Sequence, residues 1–98
     1  MTKTSENFLQ TLEATIADRL ENPSRESYTA ELAASGPTRV AQKLGEEAVE
    51  LALASVAGDR TEVLNEAADL VYHLVVLLHT QGVRLDDVIG TLKARHKG

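Results

Sequence analysis

Lys43-Leu44-Gly45-Glu46-Glu47-Ala48-Val49-Glu50-Leu51 and Glu66-Ala67-Ala68-Asp69-Leu70-Val71-Tyr72-His73 are the two segments whose reading decides this fold. Apolar residues recur in both at intervals of three and four, the period of a helix with one buried face. At about 100° per residue, Val40, Leu44, Glu47, Leu51 and Ala54 fall within about 40° of one direction. Glu66, Leu70, His73 and Leu77 align in the same way. Glu47 and Glu66 therefore stand where core side chains belong, with Glu50 and Lys43 along one edge of the first stripe and Asp69 at the flank of the second. Glu46 is turned further outward. Residues three apart share a helix face, so two such helices side by side and antiparallel aim Glu47, Glu50, Glu66 and Asp69 at one small volume. Carboxylates crowded in this way require a cation, and an all-oxygen donor set favours a hard ion, Mg²⁺ with Mn²⁺ as a substitute.

Around these segments the chain reads as all-α. Pro37 suits the first position of a helix, where its missing N–H costs nothing, and that helix is expected to run to about Ala57. Gly58 stops it. Asp59 and Glu62 form a capping box for the next helix, which runs to about Gln81. So short a connection makes the two helices antiparallel neighbours. Upstream, Phe8, Leu9, Leu12, Ile16 and Leu20 stripe a first helix that ends at Asn22-Pro23-Ser24, and a short helical turn covers Thr29 to Ala34 before Ser35-Gly36-Pro37. Downstream, Leu85, Val88, Ile89 and Leu92 mark a last short helix, although Arg84 is a poor starter for it. Lys93, Arg95 and Lys97 lie near its carboxyl end, where cations oppose the helix dipole. No internal repeat or linker interrupts residues 1–98, which are read as a single domain.

Composition narrows the function. The 98 residues include no cysteine, which excludes disulfides, thiolate metal sites and a cysteine nucleophile. A cytoplasmic location fits. The net charge of -5 comes from 15 acidic against 10 basic residues, an excess matched by Glu46, Glu47, Glu50, Glu66 and Asp69 alone. With three aromatic residues, Phe8, Tyr28 and Tyr72, and no basic stripe, nucleic acid is not an expected partner. The longest apolar run, Leu74 to Leu78, is far short of the roughly 20 residues of a membrane span, and the first residues lack a secretory apolar stretch. No membrane partner is expected. A chain this small has a high ratio of surface to volume, which self-association would relieve.

Acids often only decorate a solvated helix face. Two pairs at the same spacing on the apolar sides of neighbouring helices argue against that here, because burying unpaired carboxylates is too costly. Arg39 and Lys43 are too few to neutralise five acids and are better placed as phosphate contacts, the alternative for Lys43 being a local ion pair. His73 can join a metal site, orient a carboxylate or move a proton, or it is a satisfied core histidine. Di-iron bundles use Glu-x-x-His. Neither helix has that spacing.

The Lys43 to Glu50 run, with Glu66-Ala67-Ala68-Asp69-Leu70-Val71-Tyr72-His73, resembles the signature of the phosphoribosyl-ATP pyrophosphatases. These belong to the MazG-like all-α nucleotide pyrophosphohydrolases. Ser27-Tyr28-Thr29, Gly36 and Leu92-Lys93-Ala94-Arg95-His96 resemble the same family, so the likeness covers nearly the whole chain. The acidic motifs are those of the broad superfamily, and the Ser-Tyr-Thr element, the lead-in from Lys43 and Asp69-Leu70-Val71-Tyr72-His73 point to this member. The resemblance implies a Mg²⁺-dependent homodimeric enzyme of histidine biosynthesis, a MazG-like helical bundle of two long antiparallel helices and shorter ones, completed by dimerisation. Its expected reaction is hydrolysis of phosphoribosyl-ATP between the α and β phosphates, giving phosphoribosyl-AMP and pyrophosphate. Fused members carry a zinc-dependent cyclohydrolase ahead of this domain, and a cysteine-free chain of this length is read as the stand-alone form.

In that reading Glu47, Glu50, Glu66 and Asp69 are both catalytic and metal ligands, and Glu46 is the group that orients water, its alternative being an exposed helix residue. Arg39, Lys43, His73 and Arg95 contact substrate, although Arg95 and His96 are equally readable as a frayed terminus. Two other readings remain. A MazG-like enzyme for other nucleoside triphosphates would share the metal site and differ in its base and sugar pocket, and a non-catalytic helical dimerisation module would show cation-dependent stability without turnover.

Overall fold

In a computed structural model, residues 4–96 are described, with side chains from residue 8 onward. They form five helices and no strand: α1 (Thr4–Glu21), α2 (Tyr28–Ala34), α3 (Pro37–Ala57), α4 (Arg60–Thr80) and α5 (Leu85–Arg95). The all-α bundle expected from the periodicity is the observed one.

Local chemistry sets the boundaries. Gly36 precedes Pro37 at φ 100°, and Gly58 closes α3 in the left-handed region at φ 75°, a conformation that costs glycine nothing. Its N–H returns to Ala54 O at 3.1 Å. Asp59 then caps α4 through Oδ1, which accepts the Glu62 N–H at 3.1 Å. The expected capping box is only half made. The Asp59 N–H that Glu62 would have accepted is already bonded to Ala54 O at 3.3 Å, so the tight αL turn wins the donor. At α5 the poor starter Arg84 is compensated from both sides: Asp87 Oδ2 accepts the Arg84 N–H at 2.9 Å and Glu13 Oε2 accepts the Leu85 N–H at 2.7 Å. Two donors of the first turn are thereby satisfied by carboxylates at a positive helix end.

The core is small and lies at one end. Ile16, Leu32, Val40, Val75 and Val76 are buried together, with Leu12, Leu20, Tyr72 and Leu77 packed around them. They join α1, α2, the start of α3 and the carboxyl half of α4. Beyond that end α3 and α4 continue side by side as a hairpin whose packing is chiefly mutual. Val49, Leu53, Val56, Leu64 and Val71 are exposed there, Val56 at 86%. The radius of gyration, 14.8 Å, exceeds the roughly 13 Å of a compact 100-residue domain. Phe8 and Leu9 are also exposed, so only the later part of the α1 stripe reaches the core. No residue of α5 is buried. Among the described residues no helix is long and apolar enough to cross a membrane.

Candidate metal centre

The acids gather where the packed end of the molecule gives way to the bare hairpin. Antiparallel pairing brings Glu47 on α3 opposite Glu66 and Asp69 on α4, and one carboxylate oxygen from each lies within 4.8 Å of the others. Glu47 is 6% exposed, Glu66 is half-buried and Asp69 faces solvent. Glu47 Oε1 and Glu66 Oε1 are both buried without a hydrogen-bond donor. Such oxygens carry a large desolvation cost unless a cation or proton meets them. The Glu66 carboxyl responds by holding its proton up to about 7, first because it abuts Glu47, then through burial and the neighbouring Glu50. Glu50 itself is exposed and stands beside Glu66, outside the three-oxygen cluster.

One cation is at hand. Lys43 Nζ lies 3.6 Å from Glu47 Oε2, one turn away on α3. Arg39, a further turn back, is exposed, and no ion pair holds it among the described residues. Glu46 is exposed and its Oε2 accepts from Gln42 Nε2 at 3.2 Å. Arg95 is exposed in the last turn of α5, and no contact ties it to the acids. His96 is the cap residue after it.

His73 is buried one turn beyond Asp69, and it is anchored at both nitrogens. A carbonyl only accepts, so Nδ1–H donates to Asp69 O at 2.8 Å. Nε2 then accepts from the Tyr28 hydroxyl at 2.9 Å. Burial raises the Tyr28 hydroxyl above its ordinary 10.0 even with Lys43 and Arg39 nearby, which keeps it a donor. Tyr28 and Tyr72 stack at 6.3 Å, and His73 meets both edge-on at 5.8 and 5.3 Å. Thr29 Oγ1 bonds the Tyr72 hydroxyl, pinning the start of α2 to α4. Helical periodicity gives no sign of the Tyr28 to His73 bond, which joins positions 45 residues apart. A second carboxylate centre was also missed: Glu13 Oε2 accepts from His79 Nε2 at 2.9 Å as well as from Leu85. It lines a cavity of about 580 Å³ between α1, the end of α4 and the start of α5. That cavity lies away from the acid cluster.

This geometry can be set beside known proteins. A family model described as phosphoribosyl-ATP pyrophosphohydrolase matches residues 9–96. The chain belongs to that family. Among its relatives, the histidine biosynthesis bifunctional protein HisIE of Vibrio cholerae is 53% identical over 90 residues, 92% of this chain and 43% of that protein. HisIE of Escherichia coli K12 is 53% identical over 90 residues, covering 92% and 44%. HisIE of Yersinia pestis is 52% identical over 91 residues, covering 93% and 45%. The chain thus spans less than half the length of these bifunctional relatives.

Proposed function

We propose that this chain hydrolyses phosphoribosyl-ATP between its α and β phosphates, releasing phosphoribosyl-AMP and pyrophosphate in the second step of histidine biosynthesis, in the cytoplasm. One observation carries the reading: Glu47, Glu66 and Asp69 converge to within 4.8 Å, and two of their oxygens are buried without a donor. An all-carboxylate donor set of this kind fits a hard divalent ion, Mg²⁺ with Mn²⁺ as substitute. Glu47, Glu66 and Asp69 would hold it, with Glu50 beside them. Bound there, such an ion neutralises the acids, draws in the triphosphate and polarises a phosphoryl oxygen.

The chain's own groups divide the remaining work. Lys43 moves from Glu47 to the phosphates and offsets charge building on the phosphoryl oxygens. Glu50, which abuts Glu66, orients the attacking water and takes its proton; Glu46 is less well placed because it is turned to Gln42. The oxygen–phosphorus bond forms at the α phosphorus, the bridging bond to the β phosphate breaks, and pyrophosphate leaves with the electron pair. His73, tied to the Asp69 backbone, holds the turn that presents the Asp69 carboxylate.

Val49, Leu53 and Val56 follow one another at four and three residues on the side of α3 opposite Glu47. They leave an apolar face of α3 that one chain does not cover, and a second copy of the chain is the occupant assigned to it. The test of the whole reading is pyrophosphate release from phosphoribosyl-ATP, ATP and dUTP, with and without Mg²⁺. Preference for phosphoribosyl-ATP is expected; equal turnover of all three would favour a broader nucleotide specificity, and none, with cation-dependent stability, a dimerisation module.

A further inference from the structure

Resting on the function just proposed, we infer that Tyr28 and Arg39 form the pocket that receives the far end of the nucleotide: the purine ring lies on the open face of Tyr28, and Arg39 takes the phosphate of the second ribose. The cavity is there. About 210 Å³ is enclosed by Tyr28, Glu31, Leu32, Ser35 and Arg39. Small-molecule pockets run from about 300 to 1,000 Å³, so this one receives only the base end of the substrate rather than the whole.

Tyr28 is built as a platform. It is 45% exposed, yet it does not swing freely, because Tyr72 backs it at 6.3 Å with the ring planes 29° apart and His73 holds its hydroxyl. A rigid aromatic with one covered and one open face suits the stacking of a base, which is insensitive to the identity of the base.

Spacing along α3 then assigns the cations. Arg39, Lys43 and Glu47 follow one another at intervals of four, so Lys43 is about 6 Å and Arg39 about 12 Å from Glu47 along the helix axis. Lys43 belongs to the phosphates held at the acids, as its 3.6 Å contact with Glu47 already shows it within reach. Arg39 is two turns away and shares its cavity with Tyr28. An anion it contacts lies beyond the base, and phosphoribosyl-ATP carries one there whereas ATP does not. Glu31, in the same cavity, forms no ion pair with Arg39, which leaves the guanidinium fork open to a phosphate.

Separate variants isolate the two contacts. Arg39→Gln is expected to raise KM for phosphoribosyl-ATP tenfold or more, and KM for ATP by a much smaller factor, at unchanged kcat. Tyr28→Ala should raise KM for both substrates by about 5- to 150-fold, the range for loss of one base stack. Tyr28→Phe keeps the ring, drops the His73 bond and should retain the wild-type KM. A Tyr28→Phe variant as impaired as Tyr28→Ala would reassign Tyr28 to positioning His73, and an Arg39→Gln variant that loses ATP and phosphoribosyl-ATP turnover equally would place Arg39 on the triphosphate; either overturns the inference. Binding is read independently by proton NMR of this 10.6 kDa chain. AMP, without metal, should move the Tyr28 ring signals and tripolyphosphate should not; Tyr28 signals unmoved by AMP would overturn the platform. If the wild type fails to hydrolyse phosphoribosyl-ATP at all, the function proposed above falls, and the AMP titration still decides the pocket.

Discussion

Glu47→Gln tests the site at its most buried point. The substitution preserves shape and removes one charge from a carboxylate 6% exposed, one of whose oxygens has no donor. What the fold loses is the Lys43 contact at 3.6 Å, an i,i+4 pair with Lys43 about a quarter exposed, worth about 0.3–0.5 kcal/mol. What it gains is relief of carboxylate crowding against Glu66 and Asp69. Without Mg²⁺ the melting temperature of the variant should therefore equal or exceed that of the wild type. With Mg²⁺ at about 100 times its dissociation constant, the wild type gains about 2.7 kcal/mol. For a domain of this size that is about 10–20 °C, and the variant should gain almost none of it. Turnover of phosphoribosyl-ATP should fall by a factor on the order of 10² to 10³ with the helical circular dichroism unchanged. Differential scanning calorimetry at one fixed protein concentration, with and without Mg²⁺, reads the first two quantities. Full activity in Glu47→Gln, or a wild type whose melting is indifferent to Mg²⁺, would refute the reasoning.

Lys43→Ala should raise KM for phosphoribosyl-ATP and ATP alike, as expected of a contact to the shared phosphates; an unchanged KM in steady-state assays returns Lys43 to a simple ion pair with Glu47. Leu53→Glu, in the exposed α3 stripe, should disrupt the self-association proposed for that face: burying one leucine is worth about 1.5–3 kcal/mol, so losing it on both copies weakens association on the order of 10² to 10⁴-fold, as sedimentation equilibrium would show. Glu13 governs the acid limb of stability. Burial pushes its carboxyl up, but the Leu85 N–H, His79 and Arg84 outweigh that and set it below its ordinary 4.5. A lowered folded value means the stabilisation is complete above about 4.5 and lost as pH falls through that folded value. Glu13→Gln should thus cost about 1–2 kcal/mol at pH 7, and its urea midpoint should approach the wild-type value as the pH falls below 4.5; a gap independent of pH would contradict the assignment.

How much of this was legible depended on how far each signal reaches along the chain. Pro37, Gly58 and Asp59 are local punctuation, and the expected bounds of α3 and α4 lie within a residue or so of the observed ends. The placement of Glu47 and Glu66 on inward stripes followed from one helical period, and the two residues do face each other. Their partner Glu50 lies about 60° round the wheel from Glu47, near enough to touch Glu66 and outside the oxygen cluster; the arithmetic fixes direction and not the reach of a flexible side chain. The Asp59 box failed for a local reason as well, since one N–H serves one strong acceptor and Ala54 claimed it. Tyr28 to His73 and Glu13 to Leu85 were illegible because nothing periodic links α2 to α4 or α1 to α5.

The position of the acid centre follows from the same packing. Toward the core, Val40, Val75 and Val76 fix the hairpin against α1 and α2, and Tyr28 and Thr29 pin α2 to α4 through His73 and Tyr72. Toward Gly58 the two helices support only each other. Carboxylates set deep in the packed end could not meet a triphosphate, and carboxylates at the free end would relax apart under their own repulsion. At the boundary, Glu47 is held by burial on one side while Asp69 opens to solvent on the other. Strain from uncompensated charge is therefore stored where a cation can enter, and the rigid Tyr28 platform lies on the core side, where a nucleotide base can be held still while its phosphates reach the acids.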